Sequence, residues 1–185
     1  MEFLAALWLP ILLSAIAVFV LSALSWTALP HHKTEFSALP GEDAVMDVLR
    51  ATGAGPGRYV IPWFGNGELM RTEEGRARIA RGPKAHLTIG PPGIPAMGPQ
   101  MLQSALFQVV VSTCVAYLAW HALVPGVDRL TVFRITGTAA FMACGLGQTS
   151  ESIWFWRPWR SLWLHLADSL VYGLATGAIF AWRWP

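Results

Sequence analysis

Between Phe3 and Pro30 the chain carries no Asp, Glu, Lys or Arg. A helix rises about 1.5 Å per residue, so about 20 apolar residues cross the ~30 Å hydrocarbon layer of a bilayer. This stretch is long enough to cross with some tilt. Residues 85–127 are free of the same four residue types. Their first part is rich in Gly and Pro, which places the second helix at about 101–123. A third span is expected at about 130–148, with Arg134 as its one charge, and a fourth at about 162–182, with His165 and Asp168 inside it.

Composition agrees. Hydrophobic residues make up 54% of the 185 positions and charged residues 13%, about half the roughly 25% of an average soluble domain. A soluble enzyme, a disordered tail and a nucleic-acid binder are all poor fits. The fold expected is an all-α membrane protein: four transmembrane helices with a small irregular cytoplasmic cap between the first two. The corresponding segments are 1–30, 31–98 and 99–185. A cleaved signal peptide is not expected at the start. Met-Glu-Phe offers no basic residue, and the apolar run is far longer than the 7–15 residues of a signal core.

Four spans put both termini and the 123–130 loop on one side. The other side receives residues 31–98 and the 151–161 loop, with ten of the thirteen Lys/Arg. The positive-inside rule makes that side cytoplasmic and both termini external. Tryptophan supports the layout, because its ring favours the interface while its N–H stays wet. Trp120, Trp182 and Trp184 fall at the outer boundary; Trp26, Trp154, Trp156, Trp159 and Trp163 fall at the cytoplasmic one. Trp8 lies in the outer half, and only Trp63 is far from a span.

Within the cap, Glu42–Arg50 reads as a short helix stopped by Gly53, with acidic residues at its start. Arg58–Phe64 reads as extended, with Pro62 excluding a central-strand role. Glu68–Ala80 reads as a second helix weakened by Gly75, and residues 90–99 as irregular. Gly53–Gly57 lacks the Gly-Lys-Ser/Thr ending of a phosphate loop. His31 and His32, next to Lys33, read as interfacial histidines, because adjacent residues rarely converge on one ion and no ligand-spaced set accompanies them. No metal and no cofactor are expected. His121 and His165 fall near opposite ends of their spans, too far apart to share a haem iron. Cys114 and Cys144 read as small packing residues.

Ionisable groups inside a membrane are expensive, so each is a functional-site candidate. His165 and Asp168 stand at i and i+3 on one helix face, continued by Ser169, Tyr172 and Thr176. Gly173 and Gly177 form a G-x-x-x-G that permits close helix approach. The third span offers a facing stripe of Arg134, Thr138, Phe141, Gly145 and Gln148, extended by Glu151. Gln148, Glu151, His165, Asp168 and Tyr172 are therefore the candidate polar cluster, with Arg157 and Arg160 near enough to pair with its carboxylates. Ser104, Gln108 and Ser112 add a polar stripe on the second span. Arg134 is the candidate contact for a lipid headgroup or an acidic partner. Two readings of the cluster stay open. Its groups are interhelical hydrogen bonds worth about 0.6–2 kcal/mol each, or they relay a proton or hold a polar ligand.

The runs LPHHKTEFSALPGEDAVMDVLR, GRYVIP and DSLVYGLATGAIFAWRWP resemble a widespread family of small bacterial multi-span membrane proteins. The resemblance covers most of the chain. It implies a membrane location and a bacterial source, and it carries no reaction and no catalytic residue. The leading functional expectation is a non-enzymatic accessory or assembly protein of the bacterial inner membrane, acting through helix contacts with other membrane subunits in the lipid bilayer. The alternative is a proton- or small-solute-handling protein using His165, Asp168 and Glu151.

Overall fold

The computed structural model describes residues 2–65 and 67–185. Helix α1 covers Glu2–Thr27, and a 3-10 turn follows at His31–Thr34. Next come α2 (Glu42–Thr52), β1 (Gly57–Ile61), α3 (Glu68–Arg71), α4 (Glu73–Arg81) and β2 (Ala85–Ile89). The chain then forms α5 (Met97–Ala122), α6 (Arg129–Cys144), a 3-10 turn at Leu146–Gln148, α7 (Thr149–Trp154) and α8 (Trp159–Arg183). Among the described residues, four stretches are long and apolar enough to cross a membrane: α1, α5, the run Arg129–Trp154 and α8. The chain is an all-α membrane protein with four such helices, as expected.

Two compact units divide it, one of residues 1–37 and 96–185, the other of residues 38–95. The division falls after Ser37 rather than after Pro30. His31–Ser37, read from sequence as part of the cap, thus belongs with the long helices.

In the first unit α1 packs on α5 and α8, and α6 packs on α5 and α8, closing a ring of four. Each helix turns one stripe inward at three- and four-residue spacing, as a 3.6-residue repeat requires. On α1 the stripe is Leu7, Pro10, Ile11, Ser14, Ala15 and Val18. The opposite face of α1 leaves Leu12, Ile16, Val20 and Leu24 exposed, which suits hydrocarbon and not water. The apolar core gathers Leu7, Ile11, Val115, Val132 and Phe180, with Phe3, Trp120 and Trp184 beside it. These come from the start of α1, the end of α5, the start of α6 and the end of α8, so the core fills one end of the ring. There Gly126 donates its amide to the Pro185 carbonyl at 2.8 Å, and Trp184 Nε1 donates to Val124 O at 3.2 Å. His32, Glu35, His165 and Asp168 collect at the other end.

The third span corrects the sequence reading. Its α-helix stops at Cys144 instead of running to Gln148, passes through the 3-10 turn and resumes as α7. Gly145 and Gly147, both poor helix formers, bracket the change. Asp128 caps the start of α6, its Oδ1 accepting the Thr131 amide at 3.0 Å. The Thr131 hydroxyl donates to Oδ2 at 2.6 Å, and this bond first, then the one from the amide, holds the exposed carboxyl below the usual aspartate value.

The G-x-x-x-G face is occupied inside the chain. A Cβ on Gly173 would stand 2.7 Å from Gly137 O, and one on Gly177 would stand 2.8 Å from Phe133 O. The motif therefore seats α8 against the backbone of α6.

The second unit holds the short helices α2, α3 and α4 and a two-stranded sheet. α2 ends at Gly53, whose positive φ of 66° makes glycine the fitting residue. β1 pairs antiparallel with β2, from Gly57↔Ile89 to Ile61↔Ala85. Pro62 follows β1 directly, and a two-stranded sheet has only edges, so no ladder bond is lost. β2 covers Ala85–Ile89, to which the sequence reading assigns no element; the run read as irregular, residues 90–99, follows it directly. The break between α3 and α4 comes at Thr72, whose Oγ1 accepts the Gly75 amide at 3.1 Å, while Gly75 itself is buried within α4.

Candidate functional site: a histidine and carboxylate cluster

Pro30 heads the 3-10 turn that follows α1. A 3-10 helix has three residues per turn, so residues i and i+3 eclipse. His32 and Glu35 thereby face the same way, and His32 Nδ1 hydrogen-bonds Glu35 Oε1. The turn also folds both histidines back onto α8. His32 Nε2 meets Asp168 Oδ2 at 2.7 Å, and His31 Nε2 meets Asp168 Oδ1 at 3.2 Å. Ser25, one turn inside the end of α1, donates its hydroxyl to Asp168 Oδ2 at 2.5 Å.

His32 is 3% exposed. Its ring lies flat on Trp26, with centroids 4.1 Å apart and an interplanar angle of 3°. Burial works against a charge on this imidazole. The hydrogen bonds to Asp168 and Glu35, and the negative charge of both, outweigh burial and raise its pKa above the ordinary 6.5. Glu35 mirrors this. Burial alone would raise its pKa, but hydrogen bonds from His32 and Ser161 and the nearby His165 hold it below the ordinary 4.5. His32 is thus clamped between two carboxylates that favour its protonated form.

Arg157 closes the far side. Its Nη1 donates to Gln148 Oε1 at 2.5 Å, and its Nη2 lies 3.5 Å from Glu35 Oε2. The loop that carries it needs Trp156 at φ 60°, an uncommon conformation for a bulky residue. The reversal lets the Arg157 amide reach the Glu151 carbonyl at 3.2 Å and sends the guanidinium inward. His165 stands beside the clamp, with its ring centroid 5.2 Å from that of His32. Its Nε2 is 3.5 Å from Glu35 Oε1, buried and without a hydrogen bond.

A cavity of about 260 Å³ adjoins the cluster. Asp168, His165, Tyr172 and Gln148 line it together with Ser104 and Gln108 of α5. Four of the five residues proposed from sequence therefore share one space. Glu151 is not among them. Its carbonyl accepts the Phe155 and Arg157 amides at the end of α7, and Glu35 supplies the second carboxylate of the cluster instead. His31 and His32, read from sequence as interfacial histidines without a ligand-spaced set, both contact Asp168 and belong to such a set. The sequence reading missed Ser25 and Glu35. The available signal was His31, His32 and Glu35 within five positions, directly after an apolar span.

Arg134 lies elsewhere. It is exposed and borders an apolar groove of about 200 Å³ with Phe133, Thr138, Leu170 and Leu174. The stripe drawn from Arg134 to Glu151 is thus split between two places. Cys114 and Cys144 are free thiols. His121 returns a ring nitrogen to Tyr117 O at 2.8 Å.

Among the described residues, two sets of three side chains bring ligand atoms within 4.8 Å of one another: His31, His32 and Asp168, and His32, Glu35 and His165. Imidazoles and carboxylates in such sets can hold protons, cations or donor-bearing solutes. No family model matches this chain, and neither a curated protein nor a solved structure matches it significantly.

Proposed function

We propose that this is a bacterial inner-membrane protein that binds a small cationic or hydrogen-bond-donating solute at the cytoplasmic end of its helix ring. The observation that carries the reading is the cluster of His31, His32, Glu35, His165 and Asp168 beside a polar cavity. Groups that serve only to join helices need a partner each and no space between them. Here a buried histidine nitrogen lacks a hydrogen bond within the chain, and polar side chains line a cavity beside it. Both are costs to a purely structural arrangement. The distribution of Lys and Arg supports the cytoplasmic assignment.

The accessory-subunit reading loses one of its supports, because α6 fills the Gly173/Gly177 face.

Native mass spectrometry of the chain, taken from its own membrane in nanodiscs, tests the proposal. The expected result is a monomer or small homo-oligomer carrying an added small mass that is absent from Asp168→Asn. A defined complex with other subunits and no small adduct would reject it in favour of the accessory role.

A further inference from the structure

We propose that His31, His32 and Asp168 form a site for a divalent transition-metal ion of the zinc class. This rests on reading the cluster as a solute site, and it names the solute. Two imidazoles and one carboxylate are the borderline donors that zinc takes, at about 2.0–2.2 Å. Around a tetrahedral ion at such distances, neighbouring ligand atoms stand about 3.3 Å apart. His31 Nε2 is already 3.2 Å from Asp168 Oδ1, and His32 Nε2 is 2.7 Å from Asp168 Oδ2. An ion enters with only small movements of side chains, displacing to solvent the proton shared between His32 Nε2 and Asp168.

The groups behind these ligands are those a metal site uses. A ligating histidine usually donates its second ring N–H to a carboxylate, which fixes its tautomer and aims its lone pair. Nδ1 of His32 does this toward Glu35. Ser25 donates to Asp168 and holds its carboxylate in place. His31 is the most open of the three, with its side chain 28% exposed, and Asp168 borders the cavity. The site therefore has a route for exchange and room for a water or solute ligand. The deeper set of His32, Glu35 and His165 is less suited to a cation. Arg157 lies 3.5 Å from Glu35, and its fixed positive charge repels a second one.

The test uses the full chain in mild detergent, stripped with a chelator and then titrated with zinc chloride alone by calorimetry. One equivalent should bind. His31→Gln, His32→Gln and Asp168→Asn should each lose most of the affinity. Glu35→Gln should weaken binding by about 10–100-fold, the usual effect of an outer partner. His121→Gln should bind like the parent. Far-UV circular dichroism and gel filtration report folding. Should the buried variants fail to fold, His31→Gln decides the matter, because it is the most exposed ligand. Absence of binding to the parent overturns the site. So does unchanged binding in His31→Gln alongside loss in His165→Gln, which would move the ion to the deeper set. Zinc bound in vitro, with no small adduct on the native chain, would leave this site standing and reject only the broader solute reading.

Discussion

His32 and Asp168 lie 136 positions apart and meet at 2.7 Å across the α1–α8 contact. Asp168 also takes Ser25 and His31, so one carboxylate joins the end of α1, the turn after it and α8. Removing one partner of a buried ion pair leaves the other charge uncompensated and costs about 3–5 kcal/mol. Asp168→Ala should therefore be among the most destabilising single changes, while Asp168→Asn, which keeps an acceptor, should cost less. Thermal unfolding of the metal-free protein in mild detergent ranks the two. Equal melting temperatures for parent and Asp168→Ala would show that the contact holds nothing together.

The His32–Glu35 pair sets a pH window for the metal-free protein. The pKa of His32 is raised, so its contribution is complete below the unfolded value of 6.5 and is lost as pH rises through the folded one. That of Glu35 is lowered, so its contribution is complete above 4.5 and is lost as pH falls through the folded value. The groups facing this pair are Asp168 and His165 from α8, His31 from the turn, and Arg157 from the loop. Stability should be greatest between about 4.5 and 6.5 and decline on both sides. His32→Gln should remove the alkaline decline. A melting temperature that keeps rising from pH 6 to 9 in the parent would contradict the clamp.

The α6–α8 contact should reject added volume. A Cβ at Gly173 or Gly177 meets backbone oxygen, which cannot rotate away. Overpacking of this kind costs about 1–3 kcal/mol, so Gly173→Ala and Gly177→Ala should each lower the melting temperature. Gly147→Ala is the control, because nothing lies within 4 Å of its Cβ position. If all three variants melt alike, the glycine seat does not hold α6 and α8 together.

The four spans were legible because apolar runs of this length, with at most one Asp, Glu, Lys or Arg each, have few other uses. Asp168, His165 and Tyr172 were legible as one face because α8 runs unbroken through them. Glu151 was misplaced because helical phase was extrapolated across Gly145–Gly147, where the α-helix gives way to a 3-10 turn. The Gly173/Gly177 motif announced a close approach but could not name α6 as the neighbour. The contacts of Glu35 and His32 were not legible for a different reason. Their orientation depends on the turn after Pro30 and on a partner in α8, and neither leaves a periodic signal. β2 was missed because five residues between Gly and Pro carry little pattern, and its partner lies 28 positions earlier.

Sidedness decides which compartment the cluster serves. Ten of thirteen Lys/Arg fall on one side of the four-span topology, and placing them outside would oppose the positive-inside rule. In a chain with Cys114→Ala and Cys144→Ala, single cysteines report the side directly. Val124→Cys marks the exposed loop after α5, Arg160→Cys the start of α8, and Glu73→Cys the second unit; all three positions are exposed. A membrane-impermeant maleimide added to intact cells should label Val124→Cys alone. Inverted vesicles should reverse the pattern, labelling Arg160→Cys and Glu73→Cys. Arg160 begins the same helix that carries His165 and Asp168 one to two turns further on, so its label locates the cluster as well. Labelling of Arg160→Cys from outside would turn the protein over. The cluster would then draw its solute from the exterior, and a cytoplasmic binding role would be excluded.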